Sequence, residues 1–225
     1  MYHNIFELVY NDLANAQKSI TRLFPKFKQR VDAVANNGGS VLVDKGPDRW
    51  KFEVSSGTKP GVSYDVYVQW VNPEETLKEL VLDPTYWKED FSGLNMMKLA
   101  MGFMDNCDIK VYCNCPADLY WGGQYIRTRK NAKYTSPENR PPDVRNPRQF
   151  GAFCKHLQLT MDTLHAHGGT CVKWLNDYYG KLIARLQSEV IAKKFKEKGI
   201  KTKPVKIGAE EIKPFKATAQ NTEEE

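Results

Sequence analysis

Near the start of the chain, apolar side chains recur at intervals of three and four, at Ile5, Leu8, Val9, Leu13, Ile20, Leu23, Phe27, Val31 and Val34. This spacing predicts an amphipathic helix over residues 5–35. Pro25 interrupts it by removing a helical hydrogen bond and clashing with the preceding turn, so two helical pieces or one kinked helix are expected. Asn36-Asn37-Gly38-Gly39 tolerates positive φ and ends the pattern. The period then changes to two. Trp50, Phe52 and Val54 alternate with Lys51 and Glu53, and Val62, Tyr64, Val66, Val68 and Trp70 alternate with Ser63, Asp65 and Gln69. With Ser40-Val41-Leu42-Val43 ahead of them and turns at Gly46-Pro47-Asp48 and residues 57–61, these predict an antiparallel meander with one face in the core.

Asn72-Pro73-Glu74-Glu75 starts a helix, with proline at the first helical position and acids in the first turn. Residues 94–104 form a second helix whose Met96, Met97, Leu99, Met101 and Met104 read as core packing. Ile109-Lys110-Val111-Tyr112-Cys113 alternates again and predicts a further strand. After an aromatic and basic insert, residues 153–165 read as a helix with Leu157, Met161 and Leu164 on one side, ended by His165-Ala166-His167-Gly168-Gly169. Val172, Leu175, Tyr178, Tyr179, Leu182, Ile183, Leu186 and Val190 then keep helical spacing through a long final helix. Past Gly199 the lysine-rich, proline-punctuated remainder has little to bury and reads as a linker or arm.

Composition narrows the class. A chain of 225 residues, 41% hydrophobic and 12% aromatic, can bury one substantial core or two small ones. No run approaches the length of a membrane span, and Met1-Tyr2-His3-Asn4-Ile5-Phe6-Glu7 lacks the basic-then-apolar pattern of a secretory signal. The expected location is therefore the reducing cytoplasm or an assembly made there. A net charge of +6 favours an acidic partner. The positive charge gathers in the insert (Arg127, Arg129, Lys130, Lys133, Arg140, Arg145, Arg148) and again after Lys193, while Glu223-Glu224-Glu225 is acidic.

Candidate chemistry lies in the cysteines. There are five, an odd number, and three of them fall with one histidine into two tight pairs, Cys113-Asn114-Cys115 and Cys154-Lys155-His156. Such clustering argues metal binding or catalysis over a disulfide framework. On a strand, cysteines two apart point to one face and can approach one ion together. In a regular helix the same spacing would send Cys154 and His156 to nearly opposite sides. The second pair therefore works only if Cys154 lies at or before the first helical turn, a bend that Gly151 eases. Three thiolates and an imidazole make a closed tetrahedral zinc site with no position left for water, which predicts a structural role. Competing readings are that the four residues merely pack, that Cys154 and His156 form a nucleophile–base dyad, or that His165 or His167 replaces His156. The dyad lacks a third orienting group and leaves the first pair unexplained. Cys107 and Cys171, in apolar surroundings, read as buried thiols.

The order Cys-x-Cys, long spacer, Cys-x-His resembles the SWIM-type zinc finger. That resemblance implies a strand hairpin before a helix opened by the Cys-x-His pair, with Cys113, Cys115, Cys154 and His156 holding Zn2+. Pro116, Tyr120-Trp121-Gly122-Gly123 and the run from Arg140-Pro141-Pro142 to Arg145-Asn146-Pro147 are similar to a long-spacer variant in tailed-phage proteins of structural or uncharacterised role. The expected fold is α+β: N-terminal helices, an antiparallel β-meander, a zinc-clasped ββα module, a long C-terminal helix and an extended basic tail. Its segments are 1–36 (helical), 37–167 (meander, helical insert and zinc module), 168–199 (helix) and 200–225 (tail).

Two functions follow from this reading. One is a non-enzymatic, zinc-stabilised structural or assembly protein, a phage virion component or an associate of one, in the host cytoplasm or built into the virion. Its partners would be assembly proteins, virion proteins or further copies of the chain in a homo-oligomer, with no membrane. The other is DNA or RNA binding through the insert, where Tyr120, Trp121, Tyr125, Arg127, Arg129, Lys130, Lys133, Arg145 and Arg148 would supply stacking surfaces and phosphate contacts. Enzymatic function is not expected, since the chain carries no glycine-rich phosphate loop, no His-Glu-x-x-His helix and no serine elbow.

Overall fold

The computed structural model describes residues 26–90, 92–144, 146 and 153–197, with side chains as far as Lys194. The fold is α+β. Helix α1 (Phe27–Asn36) begins just after Pro25, and the helical stretch expected ahead of it lies outside the described residues. Its exit turn places Gly38 and Gly39 at φ 122° and 73°, with the Gly39 amide donating to the Val34 carbonyl at 3.0 Å. Glycine reaches those angles without a Cβ penalty, so the chain reverses directly into the sheet.

Strands β1 (Ser40–Lys45), β2 (Arg49–Ser55) and β3 (Ser63–Val71) follow one another as antiparallel neighbours, and β4 (Asp108–Cys113) joins antiparallel to β3, giving the order β1-β2-β3-β4. The alternation in sequence maps onto the two faces: Trp50, Phe52, Val54, Val66, Val68, Trp70, Ile109 and Val111 are buried on one side. Val62, expected on that face, instead precedes β3 and is exposed, and Tyr64 is half-buried, because the strand's buried register starts only at Val66.

The link between β3 and β4 carries α2 (Pro73–Leu82), a 3-10 turn (Pro84–Tyr86) and α3 (Met96–Asn106). Since β4 runs antiparallel to β3, this excursion leaves and re-enters the sheet at one end. Of the expected methionine and leucine face, Leu99 and Met104 are fully buried and Met96 and Met101 partly so, but Met97 is half-exposed. The buried stripe is completed by Ala100 and Phe103. After β4 come two short helices, α4 (Pro116–Tyr120) and α5 (Gly123–Arg129), then α6 (Lys155–Thr163), a 3-10 turn (Leu164–His167) and the long α7 (Gly168–Glu197). Helix α6 lies across the buried face of the sheet, touching all four strands and α1, while α7 packs on α2 and α3.

The core is aromatic where α7 meets the sheet. Trp174 sits edge-on to Trp50 (5.8 Å between centroids) and tilted against Phe103 (5.6 Å), and Trp50 is edge-on to Trp70 (5.6 Å). The polar ends on α7 secure the β1–β2 turn: Trp174 Nε1 donates to the Gly46 carbonyl (2.7 Å) and Tyr179 Oη to that of Pro47 (2.7 Å). No helix among the described residues is long and apolar enough to cross a membrane. Replacing Trp174 with alanine removes the centre of this cluster and the turn's hydrogen bond. It should lower unfolding free energy by about 3–5 kcal/mol, read as a reduced urea midpoint at unchanged m-value.

Candidate metal centre

Cys113 is the last residue of β4. The ladder to β3 continues one residue beyond it: the Asn114 amide donates to the Asp65 carbonyl (3.2 Å) and Asn114 Oδ1 accepts from the Asp65 amide (3.0 Å). Asn114 is thereby held outward and exposed, and the cysteines on either side turn inward and are buried. Cys115 then caps α4, its Sγ accepting from the Asp118 amide at 3.3 Å, with Pro116 at the first helical position. On the other side, Cys154 is the N-cap of α6 in extended conformation (φ −78°, ψ 169°), and its Sγ accepts from the Leu157 amide at 3.5 Å. The second pair straddles the helix boundary, which is the condition that its spacing imposed. Gly151, expected to ease that bend, lies outside the described residues.

Four ligand atoms, one each from Cys113, Cys115, Cys154 and His156, lie within 4.8 Å of one another, and all four residues are buried. His156 presents Nδ1, 3.9 Å from Cys113 Sγ and 4.0 Å from Cys154 Sγ. Metal–sulfur bonds of ~2.3 Å and metal–nitrogen bonds of ~2.0–2.1 Å at a tetrahedral angle set a sulfur–nitrogen separation of about 3.6 Å. Those two separations are a few tenths of an ångström longer than such a shell requires. His156 Nε2 is buried with no hydrogen-bond partner among the described residues, and the Tyr64 ring packs against the imidazole (4.7 Å). The donor set and its geometry thus fit a metal ion.

The electrostatics favour thiolate. Hydrogen bonds from the Cys113 and Cys154 thiols pull the Cys115 thiol down, while burial pushes Cys113 up. Backbone amides also aim at sulfur, including Cys115 N–H to Cys113 Sγ (3.4 Å). Behind the cluster lies a fully buried ion pair, Arg127 with Asp118, bidentate at 3.0 and 2.5 Å. Burial opposes the Arg127 charge, but the Asp118 carboxylate and the nearby Cys154 and Cys113 sulfurs raise its pKa; burial pushes the Asp118 carboxyl up. Gln124 Nε2 donates to the Cys113 carbonyl (3.2 Å) and holds the strand end from the same side.

The structure distributes the remaining candidates unequally. Arg127, expected on a contact surface, is fully buried, because its charge is used by Asp118 inside the protein. Lys133 is also buried, its Nζ donating to Thr135 Oγ1 (3.1 Å) and to the Ser136 carbonyl, so it ties the insert together. Tyr120 and Arg129 are exposed, Trp121, Tyr125 and Lys130 are partly so, and Arg129 Nη1 donates to Tyr125 Oη (3.2 Å). Arg145 and Arg148 lie outside the described residues. His165 pairs with Asp105 (2.7 Å) and His167 packs on Phe52 (5.5 Å), so neither belongs to the four-residue cluster. Cys107 and Cys171 are buried thiols whose pKa values burial pushes up to about 12.

Sequence reasoning missed Asp118, Arg127 and Gln124 as supports of the centre. The one available signal was the acid three residues after Cys115, the position that a helix N-terminus favours. Comparison with protein-family models, curated proteins and solved structures finds no match to this chain. The SWIM-like and phage-like resemblances therefore rest on the motif residues alone.

Arg127→Met leaves Asp118 buried without its partner and should cost about 3–5 kcal/mol of stability. Pairing it with Asp118→Asn should recover part of that loss, an interaction energy that a double-mutant cycle in urea measures directly.

Proposed function

We propose that Cys113, Cys115, Cys154 and His156 hold one zinc ion in a purely structural role, and that the protein is a non-enzymatic, zinc-stabilised binding and assembly protein. The observation that carries this reading is the gathering of four buried side chains of zinc-preferred type, enough to fill a tetrahedral shell and leave no vertex for water or substrate. Structural zinc contributes on the order of 10–16 kcal/mol of apparent folding free energy. Here it would join the end of β4 to the start of α6 and close the insert between them. Thiolate ligands suit a reducing cytoplasm. The long-spacer resemblance supports a place in a phage particle or its assembly, with the exposed Tyr120 and Arg129 side of the insert offered to protein partners.

Purified protein should contain one zinc per chain by elemental analysis, and cobalt-loaded protein should give the intense ligand-field and thiolate charge-transfer bands of a tetrahedral sulfur-rich site. Cys154→Ser should lose the metal and expose the insert to proteolysis. Folded protein of native stability with no bound metal would rule the reading out.

A further inference from the structure

The face of the sheet turned away from the helices has its own chemistry. Strand register sorts it into rows. Arg49, Gln69 and Lys110 stand side by side across β2, β3 and β4; the next row is Lys51, Tyr67 and Tyr112; the row after that begins with Glu53 and Asp65. Across β2, β3 and β4 the first two rows carry three cations and no acid; Asp44 of β1 stands beside Lys51 at the edge of the second row, and Asp48 accepts from Gln69 Nε2 (3.0 Å) beside the first. The insert extends this face. Its Lys133 forms a parallel bridge with Val111, and the Tyr134 amide donates to the Val111 carbonyl (3.1 Å), so Tyr134 is set beside the strand tyrosines.

The three rings form one platform: Tyr67 lies 5.6 Å from Tyr134 and 6.3 Å from Tyr112, tilted by 33° and 35°. All three remain partly exposed. Cations border them. Lys51 Nζ lies 5.7 Å from the Tyr67 centroid, and exposed Arg49 donates through Nη1 to Tyr134 Oη (2.7 Å) with guanidinium donors to spare. Lys51 also pairs with Asp65 (3.0 Å) at partial exposure, a bond worth little in water and exchangeable for a phosphate.

We propose that this open face binds single-stranded nucleic acid, with bases stacking on Tyr67, Tyr112 and Tyr134 and phosphates held by Arg49, Lys51 and Lys110. Adjacent partly exposed aromatic rings bordered by cations match a chain that alternates a flat apolar base with a negative charge. An acidic protein surface would use the cations but leave the ring platform without a counterpart. A duplex, with its bases stacked inside, could not reach the rings. The inference goes beyond the structural reading of the zinc centre and leans on it only at Tyr134, since Tyr67 and Tyr112 stand on the sheet itself.

Fluorescence anisotropy of the full zinc-loaded chain with a labelled oligothymidine of about 15 nucleotides tests it. Binding should weaken steeply between about 50 and 200 mM salt and exceed that of a duplex of equal length. Tyr67→Leu and Arg49→Gln should each weaken it about tenfold at unchanged zinc content and circular dichroism. Arg140→Gln, exposed on the insert and paired with Glu138, should leave it unaltered. Absence of binding at low salt, equal affinity of both variants and the parent, or displacement by polyglutamate but not by unlabelled oligonucleotide would each overturn the proposal. Arg49 is exposed, so its variant reports even where a Tyr67 substitution disturbs folding. Protein that purifies without metal at native stability and still binds in a Tyr67-dependent way would sink the zinc reading and leave this one standing.

Discussion

The constraint on which this molecule most depends is the meeting of a strand end with a helix start. Cys113 and Cys115 arrive from β4, Cys154 and His156 from the first turn of α6, and a long stretch of chain separates them. Closing a loop of that length costs entropy that grows slowly with its length, and the contacts at the junction must offset it. Three sulfurs and an imidazole turned toward one another inside a protein are poor packing material without an ion, and a strong clasp with one. The surroundings agree with that duty. Backbone amides point at the sulfurs, Asn114 extends the ladder to keep both cysteines inward, and a buried Arg127–Asp118 pair lies against the cluster.

The junction also determines what the insert can be. A free loop of this composition would present all its cations to solvent. Docked, it sends Arg127 inward, ties Lys133 to its own backbone and lays Tyr134 beside β4. Of the insert's expected contact residues, Tyr120 and Arg129 are the exposed ones among those described. The helix-covered face of the sheet is occupied by the cluster of Trp50, Trp70, Trp174 and Phe103, which fixes α7 and the β1–β2 turn and makes the sheet a rigid support.

Much of the architecture was legible in the chain because its signals are local. Period-two alternation at Trp50–Val54 and Val66–Trp70 requires only that one face be wet. Asn36-Asn37-Gly38-Gly39 and Pro73 act on their own neighbours and end or begin helices where expected. The burial of Arg127 carried no such signal. A guanidinium nine residues from its carboxylate becomes a core group only when α4 and α5 fold back on the cysteine cluster, and in sequence it looks like any other arginine of a basic stretch.

By itself, then, the sequence determined the strands, the longer helices, their order and the four candidate ligands, but not α4 and α5 of the insert, because periodicity, turn residues and the pairing of scarce cysteines are properties of neighbouring positions. Tertiary structure alone decided that the two pairs converge, that Cys154 sits just outside its helix, and that Arg127 and Lys133 are withdrawn from the surface. It also assembled Tyr67, Tyr112 and Tyr134 into one platform from β3, β4 and the insert. These are long-range juxtapositions, set by strand register and by the closure of the insert, and no local pattern encodes them.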